Sequence, residues 1–236
     1  MKKWSATFVC FMLISSQAWA GLIEYGFSGS ITRMFEHDGA SETNTDVNSS
    51  NMFGLGIGVG DSFSGSFRYD ADATESDYRI DNPDSNSAVF QNAVLDFRFE
   101  VGDYVYVDQS PGGILDSLVL KNNSDLPHQD SFSVLSSNAL DEYYSNSSMG
   151  FFNSDGDAFN DFALPTSLNL NDFIGYGFFH SALLDRDSGD QLHFYGHASK
   201  LVAKVSEPGT IILLSIGLFG IVGRFALPNL RRSRAF

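Results

Sequence analysis

Asn153-Ser154-Asp155-Gly156-Asp157-Ala158-Phe159-Asn160-Asp161 places side-chain oxygens at alternate positions, the spacing with which a loop wraps Ca²⁺. Asn153, Asp155, Asp157 and Asp161 are its candidate ligands. The loop is not an EF-hand, because Ala158 stands where that motif needs glycine and Leu164 where it needs a bidentate glutamate. An ordinary Asp/Asn/Gly turn would carry the same residues. A second acidic stretch, Asp70, Asp72, Glu75, Asp77, Asp81 and Asp84, would attract a cation by charge or serve as a solvated loop. The cofactor expectation is therefore calcium or none.

His193 and His197 lie four apart. On a strand they share a face with Tyr195 and stand about 13 Å from each other at about 3.3 Å per residue, too far for one metal ion. They read as surface histidines. Tyr104 and Tyr106, with Asp108 beyond them, offer an aromatic platform on which sugar rings could stack, although exposed sheet tyrosines are common without that role. No Gly-x-Ser-x-Gly elbow is present. With 29 acidic residues, any one carboxylate pair says little about glycoside hydrolysis. No catalytic residue is assigned, and the expectation is a protein that is not an enzyme.

The elements that must hold these residues are strands. Ile23, Tyr25, Phe27 and Ile31 alternate with Glu24, Gly26, Ser28 and Ser30, and Phe63, Gly65, Phe67 and Tyr69 alternate with Ser62, Ser64, Ser66 and Arg68. Leu95, Phe97, Phe99 and Val101 oppose Asp96, Arg98 and Glu100, and Val105 with Val107 oppose Tyr104 with Tyr106. Such one-sided burial marks antiparallel sheets. Further strands are expected within Ile114–Leu120, Ser131–Leu135, Asp172–His180 and Gln191–Val205. Leu140–Tyr144 and Phe159–Leu164 could each form one helical turn, and no longer amphipathic helix is evident. Phe27-Ser28-Gly29-Ser30-Ile31 is echoed by Phe63-Ser64-Gly65-Ser66-Phe67 and more loosely by Phe194-Tyr195-Gly196-His197-Ala198, so these three strands should be neighbours, each glycine crossed by a ring from the next strand. With 22 phenylalanines and many short strands, the predicted fold is all-β, an antiparallel β-sandwich of jelly-roll type.

The region from Gly21 to Val205 is 185 residues long, enough for one domain with a substantial core. From Gly21 to Glu207 eight basic residues face 29 acidic ones, a net charge of −21, so a nucleic-acid partner is excluded for want of a basic face. The ends differ in kind. Lys2 and Lys3 precede an apolar run from Phe8 to Ile14, and Ala18-Trp19-Ala20 supplies small residues at the positions a signal peptidase reads. Residues 1–20 are predicted to be a signal peptide cleaved before Gly21. Cys10, the single cysteine, leaves with it, so neither a disulfide nor a catalytic thiol is expected afterwards.

At the other end Ser206-Glu207-Pro208-Gly209-Thr210 leads into an apolar stretch and then Arg224, Arg231, Arg232 and Arg234. Gly209 to Gly223 is uncharged over 15 residues, fewer than the roughly 20 a helix needs to cross a bilayer. Arg224 can snorkel, and Phe225, Ala226 and Leu227 extend the run before Pro228, giving a predicted transmembrane segment over 209–227. The length alone also suits a buried core helix, but a basic tail is unusual there. The arginines would keep that end cytoplasmic.

This order of parts resembles the PEP-CTERM sorting signal of exported bacterial proteins, a Pro-Glu-Pro triplet before a membrane span and an arginine cluster. Ser206 replaces the first proline, and the likeness covers about Val205 to Phe236. The stretch Gly60 to Asp70 is also similar to one found in passenger domains of that class. The resemblance implies export across the inner membrane of a Gram-negative bacterium, processing by a membrane-embedded exosortase, retention in the cell envelope or release from it, and association with extracellular polysaccharide or biofilm. Residues 21–205 would be the passenger and 206–236 the sorting signal. A calcium-assisted carbohydrate-binding module is the alternative, and a glycoside hydrolase the more distant one.

Overall fold

Aromatic residues alternating with serine, glycine and charge produce strands with one face inside and one outside. The structure, a computed structural model, describes residues 21–76, 87–108, 116–122, 130–139, 143–153, 158–159, 161–173 and 176–204. Within them the chain forms β1 (Leu22–Asp38), β2 (Thr43–Val47), β3 (Ser49–Ser50), β4 (Ile57–Gly58), β5 (Ser62–Asp70), β6 (Ser87–Gln91), β7 (Val94–Val101), β8 (Tyr104–Val107), β9 (Ser117–Lys121), β10 (Asp130–Ala139), β11 (Tyr143–Asn153), β12 (Tyr176–Asp185) and β13 (Gln191–Ala203). The only helical pieces among the described residues are two 3₁₀ turns, Met52–Gly54 and Leu170–Asp172. The fold is all-β and its strand pairs are antiparallel. No helix among the described residues is long and apolar enough to cross a membrane, and 209–227 lies outside them.

One sheet carries eleven of the strands in the order β6-β9-β10-β11-β12-β13-β1-β5-β7-β8, with β2 paired to β1. Rings from its two halves meet inside. Phe63 and Phe99 lie 4.6 and 4.7 Å from Phe179, and Tyr69 lies 5.5 Å from Phe132. Phe67, Phe97, Phe132, Phe151, Phe179 and Phe194 are all fully buried. The three echoed segments are adjacent strands, β13-β1-β5, and their glycines do lie under rings. A Cβ on Gly65 would meet Phe27 Cζ at 2.4 Å, and one on Gly29 would meet Phe63 Cζ at 2.6 Å and the carbonyl oxygen of His197 at 2.0 Å.

Strands β2, β3, β4 and β6 form where no strand is expected, and β11 and β8 depart from expectation in more telling ways. β11 is not foreshadowed in the sequence, because Tyr143-Tyr144-Ser145-Asn146-Ser147-Ser148 lacks apolar alternation. Its inward residues Ser145 and Ser147 are buried all the same, and the Ser147 hydroxyl is 2.9 Å from that of Ser181 on β12. Of the helical turn expected from Leu140, residues 140–142 lie outside the described residues, while Tyr143 and Tyr144 extend as strand. β8 is where the reading of faces inverts: Val105 and Val107 are outside, 62% and 44% exposed, and Tyr104 and Tyr106 are inside. The Tyr106 hydroxyl lies 2.8 Å from Ser136 Oγ, which donates to Asp108 Oδ2 at 3.1 Å. A hydroxyl lattice therefore fills this end of the core, and Tyr104 and Tyr106 cannot be a sugar platform.

Candidate functional site

A bulge in β1 builds the outer surface. Ile31 pairs with Gly196 and Arg33 with Tyr195, so Thr32 is an extra residue. After it Met34 points inward, and Arg33, Phe35 and His37 point outward beside Tyr195, His193 and Gln191. The three-residue gap between the buried Ile31 and Met34 is the trace of the bulge in the sequence. On the other side of β13, β12 sets Phe178 opposite His197 and His180 opposite Tyr195. Inward residues Leu192, Phe194 and Ala198 are buried, which fixes the other face of β13 toward solvent.

The outward rings form a ladder across three strands. Phe35 stacks on His193 at 4.3 Å with 13° between planes, and His180 on Tyr195 at 4.5 Å with 16°. The two imidazoles are 5.5 Å apart, and His180 Nε2 is 3.2 Å from His193 Nδ1. His193 Nε2 lies 2.9 Å from Gln191 Oε1. One end of the ladder is covered by Arg33, whose guanidinium is 5.9 Å from the Phe35 centroid and donates to Asp46 at 3.0 Å. The other end is Phe178, 5.6 Å from Tyr195 and 37% exposed, the most open ring of the group. Stacking uses the inner ring faces on one another, so Phe178 is where a flat ligand can lie.

The ladder is uncharged at neutral pH. Burial, and then the neighbouring His193, push His180 down to about 4. Burial and then His37 also lower His193, and burial raises Tyr195 against the pull of Arg33. A neutral aromatic strip on a strongly acidic chain suits an uncharged ligand with apolar ring faces. Farther along the sheet, the outer face over β5 and β7 is polar instead: Ser64 donates to Glu100 at 2.9 Å and Arg98 to Ser66 at 3.0 Å.

The residues singled out from the sequence fall in three groups. His193 and His197 do share a face with Tyr195, and the closer partner of His193 is His180 on the next strand, which spacing along the chain could not reveal. Of the calcium candidates, Asn153 is buried and its amide donates to the Asp172 carbonyl, while Asp161 Oδ1 accepts from the Ala163 N–H at 2.9 Å, the bond of an Asx turn. Asp155 and Asp157 lie outside the described residues, and among those described no three His, Cys, Asp or Glu side chains are grouped to hold a metal. In the second acidic stretch Asp70 Oδ1 accepts from the Asp72 N–H at 2.9 Å; Asp77, Asp81 and Asp84 are outside the described residues. Gly21 is described and buried, and its carbonyl accepts from the Ala71 N–H at 2.7 Å. Ala18, Ala20, Ser206, Glu207, Pro208, Gly209, Thr210, Arg224, Arg231, Arg232 and Arg234 lie outside the described residues. No protein-family model, no characterised protein and no solved structure matches this chain.

Proposed function

We propose that this protein is an exported, non-enzymatic component of the cell envelope or extracellular matrix, and that its aromatic ladder is the face that meets neutral extracellular polysaccharide. Signal peptidase releases the chain at Gly21, and an exosortase-type enzyme reads Glu207-Pro208 beside the membrane held by 209–227 and the terminal arginines. What supports export is the order of signals along the chain, a basic and apolar start with Ala18-x-Ala20 and a basic, apolar end. What supports polysaccharide is Phe178, an open ring backed by Tyr195 and His180 in an uncharged strip. The domain behind it reads as a two-layer sandwich, with the connections β5 to β6 and β8 to β9 passing between halves of the sheet as strands do in jelly rolls.

Affinity electrophoresis through gels containing neutral polysaccharide tests the binding half. Retarded migration that Phe178→Ala weakens is the expected result, and unretarded migration of the wild-type protein through every polysaccharide of its host would discard it. Mass spectrometry of the protein from its native host tests the other half. A form beginning at Gly21 and ending near Glu207 supports sorting and processing, an intact Phe236 terminus supports a plain anchor, and full-length chain with Met1 in the cytosol defeats export.

A further inference from the structure

Two carboxylates converge on Gly21. A methyl group on its α-carbon would meet Asp72 Oδ2 at 2.4 Å and Asp70 Oδ1 at 2.7 Å, so only glycine fits without displacing them. The position is fixed from both sides. The Gly21 carbonyl accepts from Ala71, between the two acids, and the next residue, Leu22, pairs with Asp70 where β1 meets β5. Asp70 Oδ1 also accepts from the Asp72 N–H, which holds the two carboxylates in one tight turn.

We infer that Asp70 and Asp72 clamp the α-ammonium group of Gly21 once the peptide bond before it is hydrolysed, so that removal of the leader locks the first strand of the domain. The inference rests on the reading of the chain as an exported protein cleaved after Ala20. Hydrolysis adds water across that bond: Ala20 departs with a carboxylate, and Gly21 keeps the amine, which takes up a proton. Before cleavage the nitrogen is a neutral amide with a single N–H, whereas afterwards it is a cation with three donors set beside two anionic acceptors. The Gly21 nitrogen stands about 2.5 Å from the position of that methyl group, which puts both carboxylate oxygens within about 5 Å of it, and opposite charge in that range favours the protonated amine.

The test uses the full chain expressed in a host that possesses signal peptidase. Intact mass of the purified protein gives the first residue, and amine-reactive labelling of the α-amino group at a series of pH values, read by mass spectrometry, gives its pKa. A chain starting at Gly21 is expected, with that pKa about one unit above the ordinary range of about 7.7–8.0. Asp70→Asn combined with Asp72→Asn should return it to the ordinary range, and Gly21→Ala, whose methyl pushes the carboxylates away, should do the same independently. An ordinary pKa on a chain that starts at Gly21, or a raised one that neither variant moves, overturns the clamp and leaves export standing. An exported chain that starts elsewhere overturns the cleavage reading and the clamp with it.

Discussion

Strands β8 and β13 are both rich in rings, and their tyrosines meet opposite fates. Tyr104-Val105-Tyr106-Val107 alternates aromatic with aliphatic, and His193-Phe194-Tyr195-Gly196 is as rich in rings, yet the tyrosines of β8 lie inside while Tyr195 lies outside. The difference comes from what each inner face meets. Ser136 and Ser145 oppose β8 across the core with hydroxyls, which a tyrosine can satisfy and a valine cannot. Phe99 opposes β13 across the core with a ring, and Phe179 adds another from the neighbouring strand β12, which favours Phe194 over Tyr195. An aromatic residue's role is thus set by its partner across the core, and the local alternation leaves it open.

The strongest way to break this comparison is to truncate one tyrosine from each strand. Tyr106→Ala removes a buried ring and one of the two partners of the Ser136 hydroxyl, and should destabilise the domain by about 3–5 kcal/mol in chemical denaturation. Tyr195→Ala, on the half-exposed side of its strand, should cost about a third of that or less. Equal losses would mean that the two faces are not distinguished as described.

Next in size is the seam that links the two regions. Gly29→Ala forces a Cβ to within 2.0 Å of the His197 carbonyl oxygen, on backbone that cannot rotate away. Opening β1 from β13 there should cost about 1–3 kcal/mol and also disturb the ladder, because His197 is the strand partner of Phe178. Differential scanning calorimetry reads the first effect and affinity electrophoresis the second. A variant as stable as wild type would show that the glycine echo has no steric basis.

That echo is the most legible part of the fold. Phe27, Phe63 and Phe194 in similar settings announce three neighbouring strands, and β13-β1-β5 are adjacent. The period-two segments from Ile23 to Val101 also appear as strands with one buried face, because rings differ enough in polarity from serines and charged residues to declare which side is dry. β11 is hidden because its inner face uses Ser145 and Ser147, so the polarity contrast that marks a strand is missing. The ladder is hidden for another reason. Phe35 belongs to it only because Thr32 bulges, and Phe178, His180 and His193 come from two strands whose register the chain does not print.

A smaller effect sharpens the binding side of the comparison. Phe178→Ala removes an exposed ring and should leave stability within about 0.5 kcal/mol of wild type. Polysaccharide retention should fall about tenfold, the size of one lost aromatic contact. Val105→Ala, a still more exposed apolar truncation on β8, should leave retention unchanged. If both variants lose retention alike, contact is spread over the apolar surface and the ladder holds no special place.

The smallest effect is titration, which separates the two regions by pH. Burial raises Tyr104 and Tyr106 above the ordinary phenol range, so β8 stays silent until strongly alkaline solution. The ladder responds in mild acid. His180 is held down to about 4 in the folded protein, against about 6.5 when unfolded. Between those values the unfolded chain binds a proton that the native chain refuses, so stability falls as pH drops from about 6.5 toward 4 and is unaffected by this group above 6.5. His193, lowered by burial and then by His37, acts in the same direction. Both rings keep some solvent contact, which moderates the effect, and carboxylates titrate in the lower part of the same window. The informative quantity is therefore the difference between wild type and His180→Gln. The variant should lose several degrees less in Tm between pH 7 and pH 4.5, because a glutamine has no proton to take up on unfolding. Identical pH profiles for the two proteins would mean that His180 is solvated and that the ladder is not packed as a unit.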